Sequence, residues 1–258
     1  MNATILPWRR WRWNMLDVLA VGAHPDDCEI VMGGTICVLK HLSYRVGICD
    51  LCAGEAGTYG SAEIRRKELQ EASERLRLDA RTTLDMPDGN IRNTEENRLK
   101  LIDVIREHQP EIMFSFYNEL TRHPDHYFAG QLVKECVFLA GLEKIRTNHP
   151  PHRPSALITF KGMIMQDKPD FVVDISDYWE QKVAAIKAYE SQVIVHDQAI
   201  TQAEQQMPSK TFIRTQAFWE VLEARARIVG AMIGVKYGEA FYSDAPPKIA
   251  DIPTAFKR

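Results

Sequence analysis

Two short loops, about a hundred residues apart, carry imidazoles and carboxylates at spacings that suit a metal ion. The first is Ala23-His24-Pro25-Asp26-Asp27 and the second is Arg122-His123-Pro124-Asp125-His126. Hydrolytic zinc takes three protein ligands and keeps one position open for water. His24 and Asp27, at i and i+3, face one point if the turn between them opens a helix, and His126 supplies a third ligand. Two imidazoles and one carboxylate leave the ion electron-poor enough to activate water. Iron(II) or another divalent ion suits the same donors. Asp26 stands beside a ligand without being needed as one, which fits a general base. His123, with Asp125 close by to hold it, fits a donor to a developing oxyanion or to a leaving amine. Either loop alone could be a capping turn, but both hold more polar groups than capping requires. The pair reads as a metallo-hydrolase able to cleave an amide.

Each loop follows an apolar run, Asp17 to Gly22 before the first and Glu111 to Phe116 before the second. Open α/β sheets place ligands at the carboxyl ends of such strands. The surrounding pattern alternates strand and helix. Strands are expected over Leu16–Ala23, Arg45–Leu51, Arg81–Leu84 and Glu111–Phe116. Helices are expected over Ile30–Leu42, after Ser61, after Thr94 and over Tyr127–Ala140. Further on, Ala156–Phe160 and Phe171–Ile175 read as strands, and Asp177–Tyr189 and Gln216–Gly234 as helices. The expected fold class is α/β, a single Rossmann-like domain with a mostly parallel sheet and helices on both faces. The domain is expected over residues 15–258, with 1–14 as an extension outside the core. The polar, glutamine-rich stretch 195–211 is expected to be a mobile loop near the site.

Composition narrows the function. A net charge of -3 gives no electrostatic reason to expect nucleic acid. No apolar run approaches the ~20 residues of a membrane span. Five cysteines, an odd number in a chain of 258 residues, read as reduced thiols of a cytoplasmic protein. Cys49-Asp50-Leu51-Cys52 has the C-x-x-C form but ends a strand, so no redox role follows. The basic, aromatic run Pro7 to Trp13 lacks the apolar core of a secretory signal. A nucleotide-binding module is the alternative from another class. It lacks a G-x-G-x-x-G after the first strand, and acidic residues stand where phosphate would sit.

At these residues the chain resembles the LmbE/PIG-L family of zinc-dependent N-acetylglucosaminyl deacetylases. The resemblance rests on Ala23 to Asp27, Gly33-Gly34-Thr35, Arg65 with Glu68, and His123 to His126. Within the family it is most similar to the N-acetyl-α-D-glucosaminyl L-malate deacetylases of bacillithiol biosynthesis, through Gly54 to Thr58, Leu84 to Gly89 and Gly234 to Phe241. The resemblance implies zinc on His24, Asp27 and His126, Asp26 as base, and His123 as acid or oxyanion partner tuned by Asp125. It also implies Arg65 reaching toward a small-molecule N-acetylglucosaminide, and assembly as a trimer or hexamer. A chitobiose-type sugar or an amide adduct is the alternative substrate for the same chemistry. The loop that reads Gly-Thr-Arg-Gly in the malate subfamily reads Gly57-Thr58-Tyr59-Gly60 here. Arg122 or Arg153 is the cation that could compensate.

Overall fold

The apolar run before the first loop forms β1 (Val18–Gly22), buried at all five positions. Strands this uniformly apolar belong inside a parallel sheet covered on both faces. β1 pairs in parallel with β2 (Val46–Asp50) on one side and β4 (Ile112–Phe116) on the other. The structure, a computed structural model, describes residues 15–117, 123–163, 168–194, 211–251 and 255. The expected extension 1–14, Arg122 and positions 195–210 of the expected loop lie outside the described residues.

The sheet continues through β3 (Ala80–Thr83), β5 (Ala156–Phe160), β6 (Phe171–Asp174) and β7 (Gly238–Ser243), in the order β3-β2-β1-β4-β5-β7-β6. β3 and β5 are parallel to their neighbours, whereas β7 is antiparallel to both β5 and β6. The mostly parallel α/β architecture therefore matches the expectation. The strand β7 is an addition that the sequence pattern does not announce.

Right-handed crossovers assign the helices to layers. The chain steps outward from β1 to β3 through α1 (Asp27–His41) and α2 (Ala62–Leu76), so both lie on one face. It then reverses through α3 (Glu95–His108) to β4 and through α4 (Pro124–Leu139) to β5, placing that pair on the other face. α5 (Trp179–Lys187) packs on α1 and α2, and α6 (Gln216–Ile233) packs on β7. The reversal between β1 and β4 is a topological switch point, where the strand ends leave a crevice.

Sequence accounts for the helix boundaries. Ser61, Thr94 and Thr215 are side-chain N-caps, accepting from the backbone N–H of Ile64, Asn97 and Phe218. Each cap satisfies a donor that the helix leaves orphaned. α1 breaks step at Met32, whose φ of -140° is not helical. The second half of α1 is capped from across the sheet: Glu239 of β7 accepts from Gly34 N at 3.0 Å and Thr35 N at 2.6 Å. Lys182 of α5 pairs with the same carboxylate at 2.6 Å, fully enclosed. A Cβ on Gly34 would lie 2.7 Å from Ile175 Cβ, so only glycine lets the kink seat there. All five cysteines are free and buried. Burial pushes the Cys52 thiol up to about 12, which keeps it inert at neutral pH.

Candidate active site

The crevice at the switch point holds both loops. β1 ends at Gly22, and α1 starts five residues later at Asp27. The intervening turn is forced by Asp26, the N-cap residue, whose φ of 108° lies in the left-handed region. Such a conformation costs a non-glycine residue about 1–3 kcal/mol, although Asp and Asn tolerate it better than most. It coincides with a carboxylate that is 6% exposed and lines the cavity.

Asp27 is the bridge between the loops. Its Oδ2 accepts from His24 N at 2.8 Å and lies 3.4 Å from His24 Nδ1. Its Oδ1 lies 3.1 Å from His126 Nε2. His126 stands on the first turn of α4, its ring stacked on Phe116 at 4.0 Å and 9°. Ring nitrogens of His24, His123 and His126 fall within 4.8 Å of one another. A second grouping of His24, Asp88 and Cys52 also converges, but the Cys52 thiol donates to Ala23 O and its raised pKa makes it a poor ligand.

One expected pairing is not formed. The sequence suggests that the Asp125 carboxylate holds His123, but Asp125 turns away, fully buried, toward the turn after β3. There it accepts from Gly89 N at 2.7 Å and Ile91 N at 3.2 Å, with its Oδ2 3.3 Å from His24 Nε2. The reason is positional: Asp125 lies in the first turn of α4, and the unsatisfied N–H groups of the 89–91 segment claim its oxygens. His123 Nδ1 instead accepts from the backbone N–H of Asp125 at 3.2 Å. That bond leaves the proton of a neutral His123 on Nε2. Burial, and then His24 and His126, hold His123 below its ordinary pKa, so it stays neutral.

His24 is the electrostatic centre. Burial disfavours its charged form, but hydrogen bonds to Asp125, Asp27 and Asp88 outweigh this and hold its pKa well above the ordinary value. Asp27 moves the other way, well below the carboxylate range: burial would raise it, but His126 and His24 prevail. Asp26 is pushed up to about 8 by burial and then by the neighbouring Asp27. Four carboxylates of Asp26, Asp27, Asp88 and Asp125 thus meet around His24, with Arg65 close to Asp26. This excess of acid is what a divalent cation neutralises, and the donors at hand are the Asp27 carboxylate, which faces His24 Nδ1 through Oδ2 and His126 Nε2 through Oδ1, and the three clustered imidazoles. The residues fit the ion.

The cavity they line measures about 750 Å³. Of the residues expected at the site, His24, Asp26, Asp27, Arg65, His123 and His126 face it, while Asp125 sits behind the wall. Arg65 is not an exposed helix residue. It is 7% exposed, its Nη2 lies 3.4 Å from Pro25 O, and its Nε and Nη1 have no partner among the described residues. Gly54 sits at φ 71°, a left-handed conformation that favours glycine, and its bare Cα leaves room for Arg65 Nη2, which a Cβ would meet at 2.5 Å.

Sequence reasoning missed Asp88 and Lys161. Lys161 lines the cavity directly after β5, with its ammonium 4.5 Å from the Tyr117 ring centre and 5.0 Å from that of Tyr242. The carboxyl-end rule, applied to β5, would have found it. Arg153, expected to compensate for Tyr59, instead packs on Phe138 at 4.3 Å and donates to Phe138 O, away from the cavity lining.

Known proteins are similar to this chain in sequence and fold. Residues 19–137 match a family model described as PIG-L: GlcNAc-PI de-N-acetylase. A diacetylchitobiose deacetylase of Thermococcus kodakarensis is 33% identical over 189 residues, covering 68% of this chain and 69% of that protein. A probable N-acetyl-alpha-D-glucosaminyl L-malate deacetylase 2 of Bacillus cereus is 28% identical, covering 68% and 83%. The crystal structure of a conserved protein from Thermus thermophilus superposes with a TM-score of 0.81 at 36% identity, covering 92% and 99%.

Proposed function

Because the chain belongs to the PIG-L/LmbE family of deacetylases, we propose that it hydrolyses the acetamide of an N-acetylglucosaminyl conjugate at a zinc ion held by His24, Asp27 and His126. The observation that carries this reading is the Asp27 carboxylate set between two imidazoles, with Asp26 turned into the same cavity. A divalent cation bound there supplies Lewis acidity, polarising the amide carbonyl and acidifying water. Asp26 takes a proton from the attacking water. His123, neutral with its proton on Nε2, donates to the carbonyl oxygen as charge develops on it. The C–N bond breaks, the amine leaves with the proton that Asp26 held, and the acetic acid formed gives its own proton to solvent and departs as acetate. Asp125 acts on His24 rather than on His123, orienting the imidazole from behind.

For the aglycone, two basic side chains on the cavity wall, Arg65 and Lys161, favour an anionic group such as L-malate. A neutral chitobiose-type sugar is the second reading, supported by the 33% identity to the Thermococcus enzyme. Among the described residues no helix is long and apolar enough to cross a membrane. A cytoplasmic trimer or hexamer remains the expected assembly. The experiment is metal analysis of the purified protein with acetate release from N-acetylglucosaminyl malate, N-acetylglucosamine and diacetylchitobiose. Release from the malate conjugate above the other two supports the first reading. No release from any by zinc-loaded protein, or near wild-type turnover by His126→Ala, refutes both.

A further inference from the structure

The Pro87-Asp88-Gly89 segment reads in sequence as a turn, and its carboxylate is not needed for any turn. Instead, Asp88 Oδ1 lies 3.2 Å from His24 Nε2, the ring nitrogen opposite the one that faces Asp27. Its other oxygen, Oδ2, accepts from Ala56 N at 2.9 Å. Glu55 Oε1 accepts from Asp88 N at 2.8 Å, so the 87–89 turn and the 54–60 loop hold each other by two reciprocal bonds. Asp88 lines the cavity together with Ala56, Gly57 and Thr58. Asp125 Oδ2 is the hydrogen-bond partner of the same His24 Nε2 at 3.3 Å, and its two oxygens are also engaged by Gly89 N and Ile91 N.

We infer that Asp88 is a positioning residue for the metal ligand His24, and that it ties the 54–60 wall of the cavity to that ligand. An imidazole that donates Nε2–H to a carboxylate keeps its Nδ1 lone pair for the ion and cannot rotate away from it. Asp125 accepts from that nitrogen, and Asp88 faces it at 3.2 Å as a second carboxylate, from a segment that belongs to neither histidine loop. The Ala56 N–H bond to Oδ2 fixes the Asp88 carboxylate so that Oδ1 faces the ring. The inference rests on the metal reading of the site given above.

The test uses the full chain stripped of metal, titrated with Zn2+ alone against a chromophoric chelator. Asp88→Asn preserves shape and removes the charge; Asp88→Ala removes the acceptor; Glu55→Gln weakens the same reciprocal pair without touching His24. The expected result is Zn2+ affinity lowered about tenfold for Asp88→Asn and up to about a hundredfold for Asp88→Ala, as for other carboxylates behind metal-bound histidines. Glu55→Gln is expected within twofold of wild type. A merely structural turn would move Glu55→Gln and Asp88→Asn alike, and that result overturns the inference. So does an Asp88→Asn protein that folds and binds Zn2+ within twofold of wild type. Failure of the wild type to bind Zn2+ would remove the metal site itself, and this inference with it, a result distinct from a wild-type affinity that Asp88 does not alter.

Discussion

Asp26→Asn should make the metal-free protein more stable and the loaded enzyme inactive. The folded protein pushes the Asp26 carboxyl up to about 8, by burial and by Asp27, whereas the unfolded chain ionises it near the usual ~3.9. Above that lower value the unfolded state binds fewer protons, so Asp26 makes folding less favourable as pH rises, by about 1.4 kcal/mol per pH unit, until the folded group ionises. The accumulated cost is on the order of 1 kcal/mol at pH 5 and several kcal/mol at pH 7. Asparagine carries no proton to lose and tolerates the left-handed backbone as aspartate does, so the variant escapes that cost while keeping the turn. Urea unfolding of chelator-treated wild type and variant at pH 5, 6 and 7 reads the difference. The stability gap should widen with pH in favour of the variant. A gap that is constant, or a variant less stable than wild type at pH 7, would refute the reasoning. With zinc restored, loss of the base should lower turnover about 10²–10⁴-fold, and acetate release at an undiminished rate would remove Asp26 from the mechanism.

Zinc binding should weaken as pH falls, because the ion displaces the proton that Asp125, Asp27 and Asp88 hold on His24; one proton displaced gives about a tenfold change in affinity per pH unit below the raised pKa, read by chelator competition at several pH values. Arg65→Met should lower kcat/KM at least about tenfold while leaving zinc content at wild-type level, since Arg65 faces the cavity but is not among the donors; loss of zinc would reassign it to the metal site. Lys161→Met should raise KM for N-acetylglucosaminyl malate and leave diacetylchitobiose unaffected, and equal effects on both would exclude an anion-specific role. Glu239→Gln removes the charge facing buried Lys182 and weakens the cap on the second half of α1; a urea midpoint corresponding to a loss of about 3–5 kcal/mol is expected, and a loss below about 1 kcal/mol would show that the pair is not needed.

The elements that carry the histidine loops were legible because their physics is local. β1 and β4 are apolar runs ended by turn residues, and Ser61 and Thr94 announce their helices. β7 was not, for an equally physical reason. Its buried run contains Glu239, and a charge in the middle of Gly238 to Tyr242 breaks the apolar pattern that marks a core strand. That charge is tolerated only because Lys182 and the amides of Gly34 and Thr35 surround it, and they lie 57 to 205 residues away. Asp88 and Lys161 were missed similarly, because a turn aspartate and a post-strand lysine are ordinary until the sheet order shows what they face. The His123–Asp125 pairing erred from the opposite cause. Adjacency in sequence suggests adjacency of side chains, but within a helical turn residues two apart point to different sides.

The site then follows from the strand order rather than from the loops alone. A chain that walks outward from β1 and returns to the other side through β4 must leave its first and fourth loops flanking one crevice. Both loops open helices there, so backbone N–H groups at the starts of α1 and α4 favour negative charge at the crevice. Those helix starts, together with His24 and Arg65, offset part of the repulsion among four clustered carboxylates. The part left over, the repulsion from Asp27, adds to the larger effect of burial in raising Asp26 to about 8. A cation bound at Asp27 acts on that remainder, and it does so where Asp26 must give up its proton to serve as a base. The charge on His24 and the affinity for metal share one cause, the acid gathered around that ring at the switch point. A substitution that relieves it without a cation should stabilise the fold and cost the chemistry together.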